Sequence, residues 1–518
     1  MFSAPKVPFL IIVLIVLGAC KNSSIQEAQM NKKGPNYYTE AHRPQYHFSP
    51  ETAWMNDPNG LVYHQGVYHL FYQYHPSDIV WGPMHWGHAT STDMIHWEHK
   101  PIALFPDKHG YIFSGSAVVD HKNTSGFGTL KNPALVAIFT YHLMEGEKAG
   151  LTDYQTQGIA YSLDNGDSWS VYDGNPVIGN PGMKDFRDPK VFWNEQTEAW
   201  TLLLVAGDHL QIWGSDNLKD WQQQSKFGED QGAHGGVWEC PDLFPLSVAG
   251  TDAQKWVLFI SINPGAPNGG SGTQYFIGNF DGKTFTSDQT EALWVDGGTD
   301  NYAGVTYNNT PDNNRLFMGW MSNWNYAQLT PTQAWRSAMT LPRTLHLETV
   351  GGADRLVSMP LAAMNPENNS SVRYEIAAGS NPLSVASVAL NQSQIRFNWN
   401  GTSVNLDFSN NEGQVLSLKL DATAKTITLD RSKSGSVDFE ERFKNEQQMD
   451  WSPLEGQNDL NIYMDASSIE VFVNGGQSVL TAQFFNLKPY AHLEISQPSE
   501  ELLVLENFEI RPIDRIWR

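Results

Sequence analysis

At 518 residues and 40% hydrophobic, the chain is long enough for two or more domains, each with its own core, and too apolar to stay unfolded. A formal net charge of −23 excludes the clustered cationic surface that nucleic acid demands and disfavours an anionic polymer as substrate. A neutral ligand fits best, and the 18 Trp suit either a large β core or a cleft that lays aromatic faces against sugar.

The N-terminus reads as an address. Lys6 gives a short positive flank, and Val7 to Leu17 is an apolar run broken by Pro8, shorter than the about 20 residues that span a bilayer. It ends in Leu17-Gly18-Ala19-Cys20, which resembles the bacterial lipobox, whose Cys is lipidated and becomes the mature N-terminus. Residues 1–19 are thus expected to be a lipoprotein signal peptide, Cys20 the lipidation site and 20–42 a polar tether. The alternative is an ordinary signal peptide with an incidental Cys. With Cys20 acylated, Cys240 is left alone and no internal disulfide forms.

From Tyr46 to His346 the sequence alternates short β-rich runs with Gly, Asn, Asp and Pro. Gly66–Gln73, Ala134–Thr140, Trp200–Val205 and Trp256–Ser261 have strand-like length and composition, with no helical period nearby. A weak repeat runs through them: Ser91-Thr-Asp93 ahead of Trp97, Ser162-Leu-Asp164 ahead of Trp169, Ser215-Asp216 ahead of Trp221, and more loosely Asn279-Phe-Asp281 ahead of Phe285. Each places an Asx-type turn just before an aromatic, as a hairpin corner does. A spacing of roughly 50 to 70 residues suits four-stranded propeller blades, and about 300 residues gives five of them. A five-bladed β-propeller is expected over 43–355.

Past Met359–Pro366 the Trp-rich turns stop. Ser403–Phe408, Lys425–Leu429 and Ser468–Val473 alternate with period 2, and Asn474-Gly475 is a strong hairpin signal. The expectation for 366–518 is a β-sandwich, which makes the whole chain all-β.

Three acids stand in settings rich in aromatics, Gly and Pro. They are Asp57 in Trp54-Met-Asn-Asp57-Pro-Asn-Gly60, Asp188 in Phe186-Arg187-Asp188-Pro189, and Glu239 in Val237-Trp-Glu239-Cys-Pro-Asp-Leu243. Pro58 and Asn59-Gly60 predict a tight turn that fixes Asp57. One such acid is usually structural; three, in three successive blade-sized segments, point to chemistry.

These segments resemble the signature motifs of glycoside hydrolase family 32, the family of invertases, inulinases and levanases. The likeness continues through Phe71–Pro76, Trp81–His88, Phe113–Ser116, Ala334–Arg343 and Ser467–Asn474, covering the chain from Arg43 to its end. It implies a propeller followed by a sandwich, with Asp57 as nucleophile, Glu239 as acid/base and Asp188 as transition-state stabiliser. A retaining glycosidase needs one ionised and one protonated carboxyl. Glu239, between an indole and a thiol, has the less polar setting, while Arg187 is expected to keep Asp188 ionised. The resemblance also implies that Trp54, Asn56, Gln73, Trp81, Phe113, Ser114, Arg187 and Trp335 line the fructose-binding subsite, with core packing as the plain alternative for each Trp. Asp300 and Tyr302, in an Asp-x-Tyr-Ala segment, are weaker candidates. His85, His88, His96 and His99 show no metal-ligand arrangement, and neither metal nor cofactor is expected.

The activity so implied is release of fructose from the ends of β-fructans (levan or inulin, with sucrose as a further substrate) by an exported enzyme that meets the membrane through its lipid anchor alone. Endo-acting levanases or inulinases and invertases are the neighbouring readings. Arabinan- or xylan-cleaving propellers share a three-acid layout but lack the Asn56–Gly60 and Glu239-Cys240 pair. A glycan-binding surface lipoprotein is the reading from another class.

Overall fold

Each β-rich run named above falls, to within one residue, in a strand of the computed structural model, which describes residues 38–386 and 390–517. Cys20, the expected leader and tether residues 20–37 lie outside the described residues. Residues 38–42 depart from the expected tether. Tyr38 is buried, its ring stacks on Trp517 with centroids 4.1 Å apart, and its hydroxyl donates to the Ser49 carbonyl at 2.7 Å. A large ring with a partner on both its face and its hydroxyl is worth packing even in a polar stretch.

Five antiparallel sheets follow in order, each meandering through four principal strands. Their first strands are Ala53–His64, Tyr111–Val119, Phe186–Asn194, Val237–Ser247 and Tyr302–Thr306. Each packs against the next, and the fifth against the first, closing a ring about one axis. The ring is latched by the segment after the second strand of blade 5. Trp335–Arg336 pairs in parallel with Ala53 and Trp54, while Ala338–Met339 pairs with Trp320 and Met321.

Apolar clusters fill the spaces between blades. Val136, Ile138 and Ile159 of blade 2 meet Val191, Leu202 and Leu204 of blade 3, whereas Leu203, Val205 and Ile212 meet Leu258, Ile260 and Phe276 of blade 4. Both faces of the inner strands are covered, so Leu202–Val205 is a continuous apolar run instead of an alternating one. The repeat marks the corner between the third and fourth strands in blades 1 to 4. Asp93 Oδ1 accepts from the Ile95 and His96 amides, Asp164 Oδ1 from Ser168, and Asp281 Oδ1 from Lys283 and Thr284. In blade 3 the turn acceptor is Asn217, which takes the Lys219 and Asp220 amides, and not Asp216.

The final propeller strand is Ala353–Pro360, so the expected boundary at 355 falls inside a strand. Arg343 pairs with Pro360 at its far end, and that long-range ladder sets the limit. Beyond it, two six-stranded sheets form the sandwich. Val404–Ser409 alternates buried with half-buried residues, and Leu406, Phe408, Leu418, Ile462 and Val471 share one core. Asn474 and Gly475 follow Ser468–Val473 with φ of 52° and 64°, the left-handed pair that Asn-Gly accommodates.

Candidate active site

The first strand of every blade carries a bulge near its start. The register shifts between Met55 and Pro58, Ile112 and Gly115, Arg187 and Lys190, Glu239 and Asp242, and Tyr302 and Val305. A bulge bends its strand and re-aims the side chains within it. The three acids sit at three of these bulges, in blades 1, 3 and 4 instead of three successive ones. The expected tight turn after Asp57 is one of them: Pro58 and Asn59 remain paired with Tyr72 and Phe71 inside Ala53–His64. Asp188 and Cys240 hold φ of 63° and 45°, a conformation costing on the order of 1–3 kcal/mol for a non-glycine residue.

Asp57, Asp188 and Glu239 line one cavity of about 200 Å³, together with Asn56, Gln73, Trp81, Phe113, Ser114 and Arg187. Asp57 is held on both oxygens: Asn56 Nδ2 donates to Oδ1 at 2.9 Å and Ser114 Oγ to Oδ2 at 2.7 Å. Asn56 is itself fixed by Trp54 Nε1 at 2.7 Å. Asp188 Oδ2 accepts the Cys240 amide at 3.0 Å, and the Asp188 amide donates to Thr140 Oγ1 at 2.9 Å. The Cys240 thiol lies 3.5 Å from Asp57 Oδ2 and 3.6 Å from Asp188 Oδ2, bridging the two carboxylates. Burial pushes that thiol well above its usual range, so it stays protonated and donates.

Arg187 sits otherwise than the sequence suggested. Its Nη2 donates to Glu239 Oε1 at 3.0 Å and its Nη1 to Asp185 Oδ1 at 2.7 Å, while Asp188 is 3.9 Å from Nε. Burial pushes the Asp188 carboxyl up to about 7, outweighing the pull of Arg187, with Glu239 and Asp57 adding to the rise. Burial also raises Glu239 against the opposing pull of Arg187, and the Asp57 charge adds to it. The flanking indole and thiol contribute less than expected, since the thiol faces the two Asp side chains and Trp238 packs against Phe276 in the interior. The Tyr302 hydroxyl donates to Glu239 Oε2.

Two expected lining residues lie elsewhere. Trp54 is fully buried behind Asn56, and Trp335 is 2% exposed with its ring against the Arg43 guanidinium, 4.5 Å away. Register decides this, because Trp335 is paired into the sheet opposite Ala53. Trp324 lines the cavity instead, as do His142, Glu147, Gln155 and Asp185. Of these, Trp324 and Asp185 had a signal: an indole between two Asn, and an acid two residues before Arg187. Gln155 Nε2 donates to His142 Nδ1 at 3.1 Å, and its Oε1 has no partner among the described residues. Asp300 is fully buried away from the cavity, against Arg431. Of the histidines, His85 bonds to the Pro83 carbonyl, His88 to His69, His96 to Asp93 and His99 to Tyr38. Among the described residues no group of three or more His, Cys, Asp or Glu is arranged to hold a metal ion.

Three carboxylates in one cavity of a five-bladed propeller, followed in the chain by a β-sandwich, define a glycosidase of the propeller class. Residues 47–360 match the glycosyl hydrolases family 32 N-terminal domain and 362–512 its C-terminal domain. The levanase of Bacillus subtilis (strain 168) is 45% identical over 495 residues, covering 93% of this chain and 72% of that protein. The extracellular exo-inulinase of Aspergillus ficuum is 42% identical, covering 88% of this chain and 92% of its own. The crystal structure of the Aspergillus awamori exo-inulinase superposes with a TM-score of 0.84 at 37% identity, covering 93% of this chain and 100% of the other. The chain belongs to glycoside hydrolase family 32.

Proposed function

We propose that the protein releases fructose from the ends of β-fructans by double displacement. The observation carrying this reading is that Asp57, Asp188 and Glu239 share one cavity on the scale of a single sugar ring. Asp57, its two oxygens oriented by Asn56 and Ser114, attacks carbon 2 of the terminal fructosyl unit. Glu239, raised by burial, gives its proton to the departing oxygen and then takes one from the incoming water. Asp188 accepts hydrogen bonds from ring hydroxyls; those bonds favour its charged form and strengthen as oxocarbenium character grows. Asn56, Gln73, Ser114 and Arg187 pair with sugar hydroxyls, Trp81 and Phe113 supply apolar faces, and Trp324 takes the place expected of Trp335. Trp54 acts through Asn56.

The names of the relatives, levanase and exo-inulinase, support levan and inulin as substrates. The test is a time course of products from both polymers. Fructose alone from the earliest point is the expected result, and a ladder of oligosaccharides would overturn chain-end action. The proposal extends to location: residues 1–19 are removed on export and Cys20 is acylated. Mass analysis of the mature N-terminus should find the acyl groups, and their absence would refute the anchor.

A further inference from the structure

We infer that Arg431, a residue of the sandwich, is a positioning residue of the propeller's active site, acting through Asp300 and Tyr326 on Tyr302 and Trp324. Arg431 lies on Thr426–Lys433 and is fully buried. All five of its N–H groups are used. Nε donates to the Phe443 carbonyl at 2.8 Å, Nη1 to Asp300 Oδ2 at 2.8 Å and the Gln483 carbonyl at 2.9 Å, and Nη2 to the Tyr326 hydroxyl at 2.9 Å and Thr299 Oγ1 at 3.1 Å. The guanidinium stacks 3.8 Å from the Phe443 ring. A planar fork satisfied at every donor cannot be replaced by a Lys point charge.

The two propeller segments gripped by this fork both reach the cavity. Asp300, whose Oδ1 accepts the Tyr326 hydroxyl at 2.7 Å and whose Oδ2 accepts the Gln483 amide at 2.9 Å, stands two residues before Tyr302. Tyr302 in turn donates to Glu239. Tyr326 stands two residues after the cavity-lining Trp324, and Asn323 Nδ2 ties that segment to the Thr299 carbonyl at 2.9 Å. Glu239 faces Arg187 and Asp188 from blade 3, Asp57 from blade 1 and Tyr302 from blade 5, with Cys240 beside it on its own strand. Of these, only Tyr302 is joined to Arg431 through the contacts described.

The inference rests on Glu239 being the acid/base. Its test is the pH profile of kcat/KM on levan for the full chain carrying Arg431→Lys, Arg431→Met or Asp300→Asn, beside Tyr302→Phe. A hydrogen bond to the charged form lowers the pKa of Glu239, so displacing Tyr302 raises it, and the basic limb moves to higher pH. The Arg431 and Asp300 variants should move that limb in the direction Tyr302→Phe moves it, with kcat down about 10- to 100-fold. Adding Arg431→Lys to Tyr302→Phe should move it no further. Folded variants that lose only thermal stability and keep both limb and kcat would overturn the inference, as would failure of all three to fold. Glu239→Ala, assayed on an aryl fructoside with a good leaving group, separates the two readings. A basic limb that survives there sinks the acid/base role itself. A limb that vanishes there yet stays put in the Arg431 variants sinks only the positioning role.

Discussion

The propeller and the sandwich bury ionisable side chains to opposite ends. In the propeller mouth, Asp57, Asp188 and Glu239 crowd one cavity, and Arg187 is the cation within 4 Å of two of them. Burial therefore lifts the proton affinity of Asp188 and Glu239. At the seam with the sandwich the buried acids lie beside cations that they share. Glu470 takes Arg343 at 2.5 Å and His47 at 3.0 Å, Asp465 takes His47 at 2.8 Å, and Asp300 takes Arg431 at 2.8 Å. There the Glu470 carboxyl is held below its usual range by Arg343 and His47 despite burial. Asp188 and Glu239, crowded round one cation, hold protons tightly, and Glu470, gripped by two cations, does not.

Removing the acids from each region should separate rate from stability. Asp57→Ala and Glu239→Ala should fold normally and lose roughly three or more powers of ten in turnover, the scale for removing a nucleophile or its proton donor. Retention of a tenth of wild-type turnover in either would break the division. Glu470→Ala should do the reverse. Leaving Arg343 and His47 short of a partner costs about 3–5 kcal/mol of stability, read in a denaturant melt, while the folded fraction keeps its kcat.

The seam also predicts a pH effect. Burial lowers the His47 pKa, but Asp465 and Glu470 outweigh burial and raise it to about 9, above the about 6.5 of an unfolded histidine. Its contribution to stability is full below the unfolded value and is lost as pH rises through the folded one. His47→Gln should flatten the fall in melting temperature between pH 7 and 9, and an unchanged slope would mean that His47 carries no extra proton in the folded protein. The smallest effect concerns two indoles. Trp324→Phe should raise KM several-fold with little change in stability, whereas Trp335→Phe should lower the melting temperature and leave KM alone.

The two regions also differed in how plainly they could be read. Sandwich strands such as Val404–Ser409 alternate because one face meets the core and the other does not. Inner propeller strands are covered on both faces, so Leu202–Val205 carries no period, and the Asx turns at Asp93, Asp164 and Asp281 supplied the blade spacing instead. The three acids were legible from their neighbours in sequence. The bulges that aim them were not, because a bulge depends on how Tyr72 or Leu203 pairs from the next strand. The same holds for Trp335, whose direction follows from its pairing opposite Ala53, and for Asp300, whose partner Arg431 lies 131 residues away.

As nucleophile, Asp57 would form a bond to carbon 2 of the sugar. Two displacements at carbon 2 give net retention, so proton NMR at the first seconds of levan cleavage should show β-fructofuranose as the initial product, before mutarotation. Initial α-fructose would mean that water displaces the leaving group directly, and Asp57 would then not be the nucleophile.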